Sequence, residues 1–302
     1  MAGYLHKDYA NSFAEFGSLI ELPRCHGWVL KRRIPGISHC DAMGCYPFFA
    51  CRDWSQLHAD LEDLQNDLIC LSMVTDPFGD YNETYLHRCF QDVVAPFKKH
   101  YVIDLSRPME TYISDHHQRY SNKALQSVVV EKCPKPAAFI DDWVKLYQNL
   151  IDRHRITGIA SFSNSSFAKQ LNVPGIVAFR AVFESATIGM LLWYVRNGIG
   201  YYHLGAYSDR GYEMRASFAL FRFAIEYFAN DNLQWINLGA GAGVAGNGDD
   251  GLSRFKRGWS TGTLTAYFCG RIFDHRIYAS LVTGKGAADT KYFPEYRLGE
   301  FG

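Results

Sequence analysis

The sequence predicts an α/β fold of mixed (α+β) sheets built as two halves, and three observations carry that prediction. Residues 201–260 read YYHLGAYSDRGYEMRASFALFRFAIEYFANDNLQWINLGAGAGVAGNGDDGLSRFKRGWS: strand, polar turn, long helix, strand and glycine-rich loop in succession. Three apolar strand-like runs precede that helix, and the last two are joined by Asn197-Gly198, a strong hairpin signal. Strand and helix patterns alternate through the first half as well, with no repeat of fixed period. Meander strands ahead of a helix fit a mixed sheet better than a doubly wound parallel one.

Each element has its own signal. Residues 28–34 (WVLKRRI) alternate as a strand carrying a basic patch, Lys31-Arg32-Arg33, read as a solvated face with a ligand contact as the alternative. Residues 1–24 read as an irregular lead-in and 35–44 as a Gly/Pro/Cys loop. A short aromatic strand is expected over 46–49, a helix over 54–66 through Leu57, Leu61 and Leu64, and a buried strand over 68–74. Asp76-Pro77-Phe78-Gly79 stops that strand. Then come a helix over 81–94, a strand over 101–105, a helical stretch after Pro108, a strand over 127–132 and a long helix over 137–155. The second half has a helix over 162–171, strands over 175–183, 186–196 and 199–206, and a helix centred on Phe218, Phe221, Ile225 and Phe228. Strands over 233–238 and 264–273 follow, with a less regular tail from 274 to 302.

At 302 residues the chain can bury one large core or two ordinary ones. Its formal net charge is zero, which excludes a broad nucleic-acid-binding face and leaves only a local contact possible. Eight cysteines occur without a C-x-x-C pair, so no metal site is expected; adjacent His116 and His117 point apart on a helix. No basic-then-apolar leader and no membrane-length apolar run are visible, so a cytoplasmic protein with reduced thiols is expected.

HLGAYSDRGYEMRASFALFRFAIEYF, then LGAGAG, then DDGLSRFKRGW together resemble the catalytic half of the Fem-like branch of GNAT-fold N-acyltransferases, which includes the peptidoglycan-bridge aminoacyltransferases. FKRGW, residues 255–259, is the sharpest part, and the likeness is more convincing after about residue 156. The resemblance implies a GNAT-like fold of two lobes, 1–155 and 156–302, the second catalytic. It implies direct transfer from an aminoacyl-tRNA or an acyl-CoA to a small amine, with no tightly bound cofactor. By likeness to the family's Phe-Lys pair, Lys256 would neutralise charge on the donor and Phe255 would shape the cleft. The turn 208–216 carries one glycine, Gly211, where coenzyme A-dependent members have a Q/R-x-x-G-x-G/A turn for pyrophosphate. That departure favours tRNA, reached through a local basic patch, while the neutral charge argues the other way.

Other candidates come from the residues themselves. Arg210, Arg215 and Arg254 are candidate donor contacts; Arg210 and Arg215 equally pair with Asp209 and Glu213. His203 and Tyr207, four apart on a strand, share a face and are candidate proton relays, with a core histidine as the ordinary alternative. Trp193 and Asp250 are candidate acceptor contacts, and Asp250 equally ends the glycine loop. Gly241-x-Gly243-x-x-Gly246 matches a dinucleotide fingerprint, and LGAGAG a methyltransferase one. The residues after it make a poor helix start and too few remain to complete either fold. A non-catalytic GNAT-like domain that binds a metabolite or partner is the alternative to an enzyme.

Overall fold

A computed structural model describes residues 1–65, 67–242, 250–285, 290 and 292–300. The first elements are α1 (Lys7–Asn11), β1 (Ser18–Leu22), β2 (Gly27–Arg33), β3 (Cys40–Gly44), α2 (Leu57–Asp63), β4 (Cys70–Val74) and α3 (Glu83–Cys89). Next come β5 (Val93–Asp104), α4 (Asp115–Leu125), β6 (Val129–Lys132), α5 (Ile140–His154), α6 (Asn164–Gln170), β7 (Ile176–Phe183) and β8 (Ala186–Arg196). The chain continues with β9 (Ile199–Tyr207), α7 (Asp209–Glu213), α8 (Ala216–Asn230), β10 (Trp235–Gly239), α9 (Gly251–Arg257), β11 (Gly262–Ile272) and α10 (His275–Lys285).

These elements form two compact units that are not consecutive halves. One comprises Met1–Gly3, Lys98–Ile156 and Ser163–Leu264; the other Tyr4–Phe97, Thr157–Phe162 and Thr265–Gly302. The boundary expected between 155 and 156 therefore does not match how the chain packs. Tyr101 to Asp104 of β5 pair antiparallel with β10, so a strand from the first half joins the sheet of the second. Hydrogen bonding across more than a hundred residues overrides order along the chain.

In the first unit the strand order is β5-β10-β9-β8-β7-β6. The run β6 to β9 is an antiparallel meander, and β10 lies parallel to β9. Asn197 and Gly198 have φ of 50° and 73°, both positive as a tight two-residue hairpin turn requires. Helix α8 buries Leu220, Phe221, Ala224, Ile225 and Phe228 against Phe179, Leu191 and Trp193. Tyr194 and His203 point away from that cluster and bond to Gln170 of α6. The turn expected over 208–216 holds a short helix: α7 ends before Arg215, whose φ is 58°, and α8 begins after it.

The other unit has strands in the order β1-β2-β3-β4-β11 over a core of Leu57, Leu61, Leu64, Trp54, Leu71 and Phe49. Several expectations fail here. The lead-in holds α1 and β1, the 35–44 loop holds β3, the tail holds α10, and 46–49 makes only an isolated bridge at Phe49. Strand β3 carries a fully buried aspartate, Asp41, which defeats an apolar pattern. Its carboxylate is paired with Arg297, 256 positions away, and accepts a hydrogen bond from Tyr296 at 2.9 Å. Arg32 of the basic patch is not a solvated cation; it is buried, 3.4 Å from Asp41 and 3.1 Å from Glu300.

Removing Asp41 would leave two buried guanidinium groups under-compensated. Asp41→Ala is expected to cost about 3–5 kcal/mol, read as a fall in the urea midpoint at constant slope. A change under about 1 kcal/mol would show that the ion cluster is not a stability element.

Candidate active site

The charged knot Arg254-Phe255-Lys256-Arg257 is not a loop but helix α9. Asp250 caps it, accepting from the backbone N–H of Leu252 at 2.9 Å and of Ser253 at 3.0 Å. The Ser253 hydroxyl also donates to it, and these bonds hold the Asp250 carboxyl down at about 2. Asp250 is thus engaged as a cap rather than offered to an acceptor. Along α9, Ser253, Lys256 and Trp259 turn inward at spacings of three, while Arg254 and Arg257 are exposed.

His117 of α4 fixes this turn. Its Nε2 donates to the Phe255 carbonyl at 2.9 Å, and its Nδ1 accepts from the Ser114 hydroxyl at 2.7 Å. Burial pushes the imidazole down to about 4, so it stays neutral and keeps that tautomer. The Ser114 N–H donates to the Gly258 carbonyl at 3.0 Å. The Phe255 ring packs at 5.0–5.4 Å from Phe221, Phe218 and His117. It is a wedge between α8 and α4, and it sets where the next side chain points.

That side chain is Lys256, only 4% exposed. Its Nζ donates to the Ala240 carbonyl at 2.6 Å and lies 5.2 Å from the centre of the Tyr202 ring. Desolvation, helped by the Lys98 charge and opposed by Asp250, lowers its pKa to about 7. Gly239, at φ 75°, ends β10 beside it; a Cβ there would sit 3.1 Å from Nζ. Just before it, Asn237 accepts from the Gly239 N–H at 2.8 Å and lies 3.1 Å from His100 Nδ1 of β5. Burial, with help from Lys256 and Lys98, holds His100 near 4 against the Asn237 bond. The result is a buried amine with a pKa near neutrality and polar groups on one side, able as the ammonium to meet a developing negative charge and as the free amine to take a proton.

The other expected site residues are placed differently. Along β8 and β9, Leu192 pairs with Leu204 but Trp193 pairs with Tyr202, so His203 is the extra residue of a β-bulge. Alternation resets there. Tyr202, not His203, joins Tyr207 on the α8 face, and a Cβ at Gly205 would meet both their hydroxyls. His203 faces α6, with Nε2 3.1 Å from Gln170 Oε1 and its pKa lowered by burial to about 3. It is a core histidine, apart from Lys256.

Tyr207 is buried beside Tyr212, and burial raises its pKa well above normal. Trp193 is fully buried among Tyr202, Phe221 and Phe228, so it packs the core and does not face an acceptor. Arg210 pairs with Glu213 at 2.9 Å, and the Arg215 guanidinium lies 4.0 Å from the centre of the Tyr120 ring. The Gly211 N–H donates to Ser208 Oγ, and a Cβ at Gly211 would lie 2.0 Å from the Ile188 carbonyl, so this glycine serves chain approach. Gly243 and Gly246 of the glycine loop lie outside the described residues. Among the described residues there is no cluster of three metal-ligating side chains, and no helix is long and apolar enough to cross a membrane.

Sequence reasoning assigned no role to His100, Tyr202 or Asn237, and weighed His117 only as a metal ligand. Only Asn237 left a signal, as a polar residue inside the buried run Trp235-Ile236-Asn237-Leu238.

No family profile and no curated protein matches this chain. Solved structures do. FemX aligns with a TM-score of 0.66 at 10% identity, covering 91% of this chain and 93% of that one. The C-terminal domain of a protein assigned as a lysylphosphatidylglycerol synthetase from Agrobacterium fabrum aligns at 0.64 and 10% identity, covering 95% and 91%. L-PGS from Bacillus licheniformis aligns at 0.57 and 13% identity, covering 91% and 94%. The chain is similar to these in fold, and the fold it shares with them is mixed α/β, as expected.

The Lys256 environment carries a pH signature. Its folded pKa lies below the ordinary 10.5, so between about pH 7 and 10.5 the unfolded chain holds the extra proton. Stability from this group is present at high pH and lost as pH falls through about 7. Relative to Lys256→Met, the unfolding free energy of the wild-type chain is expected to rise by up to about 1.4 kcal/mol per pH unit in that window. Urea midpoints of both at pH 6, 8 and 9 test this; parallel profiles would mean a solvated lysine.

Proposed function

We propose that this chain is an N-acyltransferase that forms an amide between an activated acyl or aminoacyl group and a small amine, by direct transfer. The observation that carries this reading is the buried Lys256 ammonium at the end of β10, set there by the Phe255 wedge. In the proposed step the amine nitrogen attacks the acyl carbon and the carbonyl electron pair moves to oxygen. Collapse breaks the C–O bond of an aminoacyl-tRNA or the C–S bond of an acyl-CoA. The leaving oxygen or sulfur ends with the proton that the amine loses. In this proposal Lys256 stabilises the oxyanion, and its burial supports that role, because one charge counts for more in a dry setting than in water.

The donor is a co-substrate and not a resident cofactor in this proposal, and the reaction belongs in the cytoplasm. The neutral net charge favours a small donor contact. The use of the Gly211 amide as a helix cap, where coenzyme A enzymes hold pyrophosphate, favours aminoacyl-tRNA. The name of one structural neighbour, lysylphosphatidylglycerol synthetase, adds phosphatidylglycerol as a hydroxyl acceptor to be tested against the amines; its product would be an ester and not the proposed amide.

A second reading, a non-catalytic binding domain, is favoured by one observation. Trp193, Tyr202, Tyr207 and Phe221 pack the α8 face of β8 and β9 with aromatic rings.

The deciding experiment is a donor panel of acetyl-CoA, longer acyl-CoAs and charged tRNAs with several amines and phosphatidylglycerol. Product formation that falls about 10²–10³-fold in Lys256→Met, with Tm unchanged or raised, is the expected outcome. Salt-sensitive binding of charged tRNA would identify the aminoacyl donor. Donor binding without turnover would favour the second reading.

A further inference from the structure

Asn237 is 2% exposed in the middle of β10, and the two ends of its carboxamide are used unequally. Oδ1 accepts the Gly239 backbone N–H at 2.8 Å, and a backbone N–H can only donate, so the oxygen end is identified chemically. The same oxygen lies 3.1 Å from His100 Nδ1 and can only accept there, so Nδ1 carries the imidazole proton. The other end, Nδ2, is buried with no hydrogen-bond partner among the described residues. A buried donor left unmade costs on the order of 1–3 kcal/mol. Such a cost at a conformation held by two bonds suggests a group waiting for an acceptor.

The neighbour is Lys256. The residue whose N–H binds Asn237 Oδ1 is Gly239, and a Cβ on Gly239 would lie 3.1 Å from Lys256 Nζ. Carboxamide and ammonium therefore flank a single backbone residue. Lys256 has one of its three donors on the Ala240 carbonyl. Lys98 adds positive charge to this corner and Asp250 opposes it.

We propose that Asn237 Nδ2 and Lys256 Nζ together receive one negatively charged oxygen, the oxyanion of the acyl donor during transfer. His100 is then a positioning residue, holding the carboxamide so that its N–H end faces the oxygen. The inference rests on the acyltransfer reading for the identity of the oxygen, though not for its charge. When the amine adds to the carbonyl carbon, the electron pair released onto oxygen is met by two N–H donors. When the leaving group departs, the pair returns and Asn237 is unchanged.

Asn237→Asp removes the donor and adds a negative charge, while its carboxylate still accepts from Gly239 and His100; Asn237→Ala removes the donor without that charge, and the same loss is expected of both. With the donor found by the panel, kcat is expected to fall about 10²–10³-fold while KM stays within about threefold. His100→Gln, whose amide still donates to Asn237, should retain most of kcat, and His100→Leu should lose it. A second arm needs no turnover: acetate added to the wild-type protein, with the Lys256 ammonium followed by nitrogen NMR. Saturable acetate binding that raises the pH at which Lys256 titrates, weakened at least tenfold in Asn237→Ala, is the expected result. Wild-type turnover by Asn237→Asp, or acetate binding indifferent to Asn237, would overturn the shared oxygen site. Acetate binding through Asn237 with no donor turned over would keep the oxygen site and remove the acyltransferase reading.

Discussion

Strand β10 is the constraint on which the rest of the first unit depends. It is five residues long, yet it hydrogen-bonds on both edges, parallel to β9 and antiparallel to β5. The parallel pairing requires the chain to leave β9, cross the sheet as α8 and return, and this puts α8 over β7 to β9. The antiparallel pairing draws β5 out of the sequence's first half and brings His100 to Asn237. At its end the strand turns through Gly239, and the carbonyl of Ala240 meets Lys256. One short strand therefore brings together groups that lie 137 to 158 positions apart in sequence, Lys98 and His100 with Asn237 and Lys256.

Burying a lysine with no carboxylate in contact among the described residues runs against ordinary packing, because the desolvation of an ammonium is large. The molecule answers by lowering the proton affinity of the amine and by supplying a carbonyl acceptor, while Asp250 contributes at longer range. The aromatic bracket of Phe218, Phe221, Phe255 and Trp259 makes that position rigid, and neutral His117 ties the bracket to α4. The other unit handles buried charge in the opposite way. Asp41, Arg32, Arg297 and Glu300 form a matched cluster of two positive and two negative groups. A matched cluster suits a structural role, whereas an unmatched cation suits a site that is completed by a ligand.

The bulge in β9 shows how a small backbone irregularity redirects a functional reading. With unbroken alternation, residues 203 and 207 share a face, and a histidine beside a tyrosine looks like a proton relay. One inserted residue moves Tyr202 to that face and sends His203 to α6. Bulges arise from the register of two strands against each other, and neither strand alone reports its partner's spacing. The same limit hid β3, whose Asp41 is acceptable in a buried strand only because Arg297 arrives from the far end of the chain.

Local chemistry was enough to determine the mixed α/β class, the Asn197-Gly198 hairpin and the apolar face of α8, whereas the Phe255-Lys256 pair stood out only by its likeness to a family. Each of the first three rests on periodicity or turn preference, which are properties of neighbouring residues. Tertiary structure alone decided that the chain divides at β5 and β11 instead of at residue 155, that the charged knot is a capped helix, and which face of β9 meets Lys256. It also decided that Asp250 is a cap, that Trp193 is core, and that His100 and Asn237 stand beside the lysine. Those outcomes depend on pairings between distant segments and on the desolvation they impose, and no stretch of sequence contains either by itself.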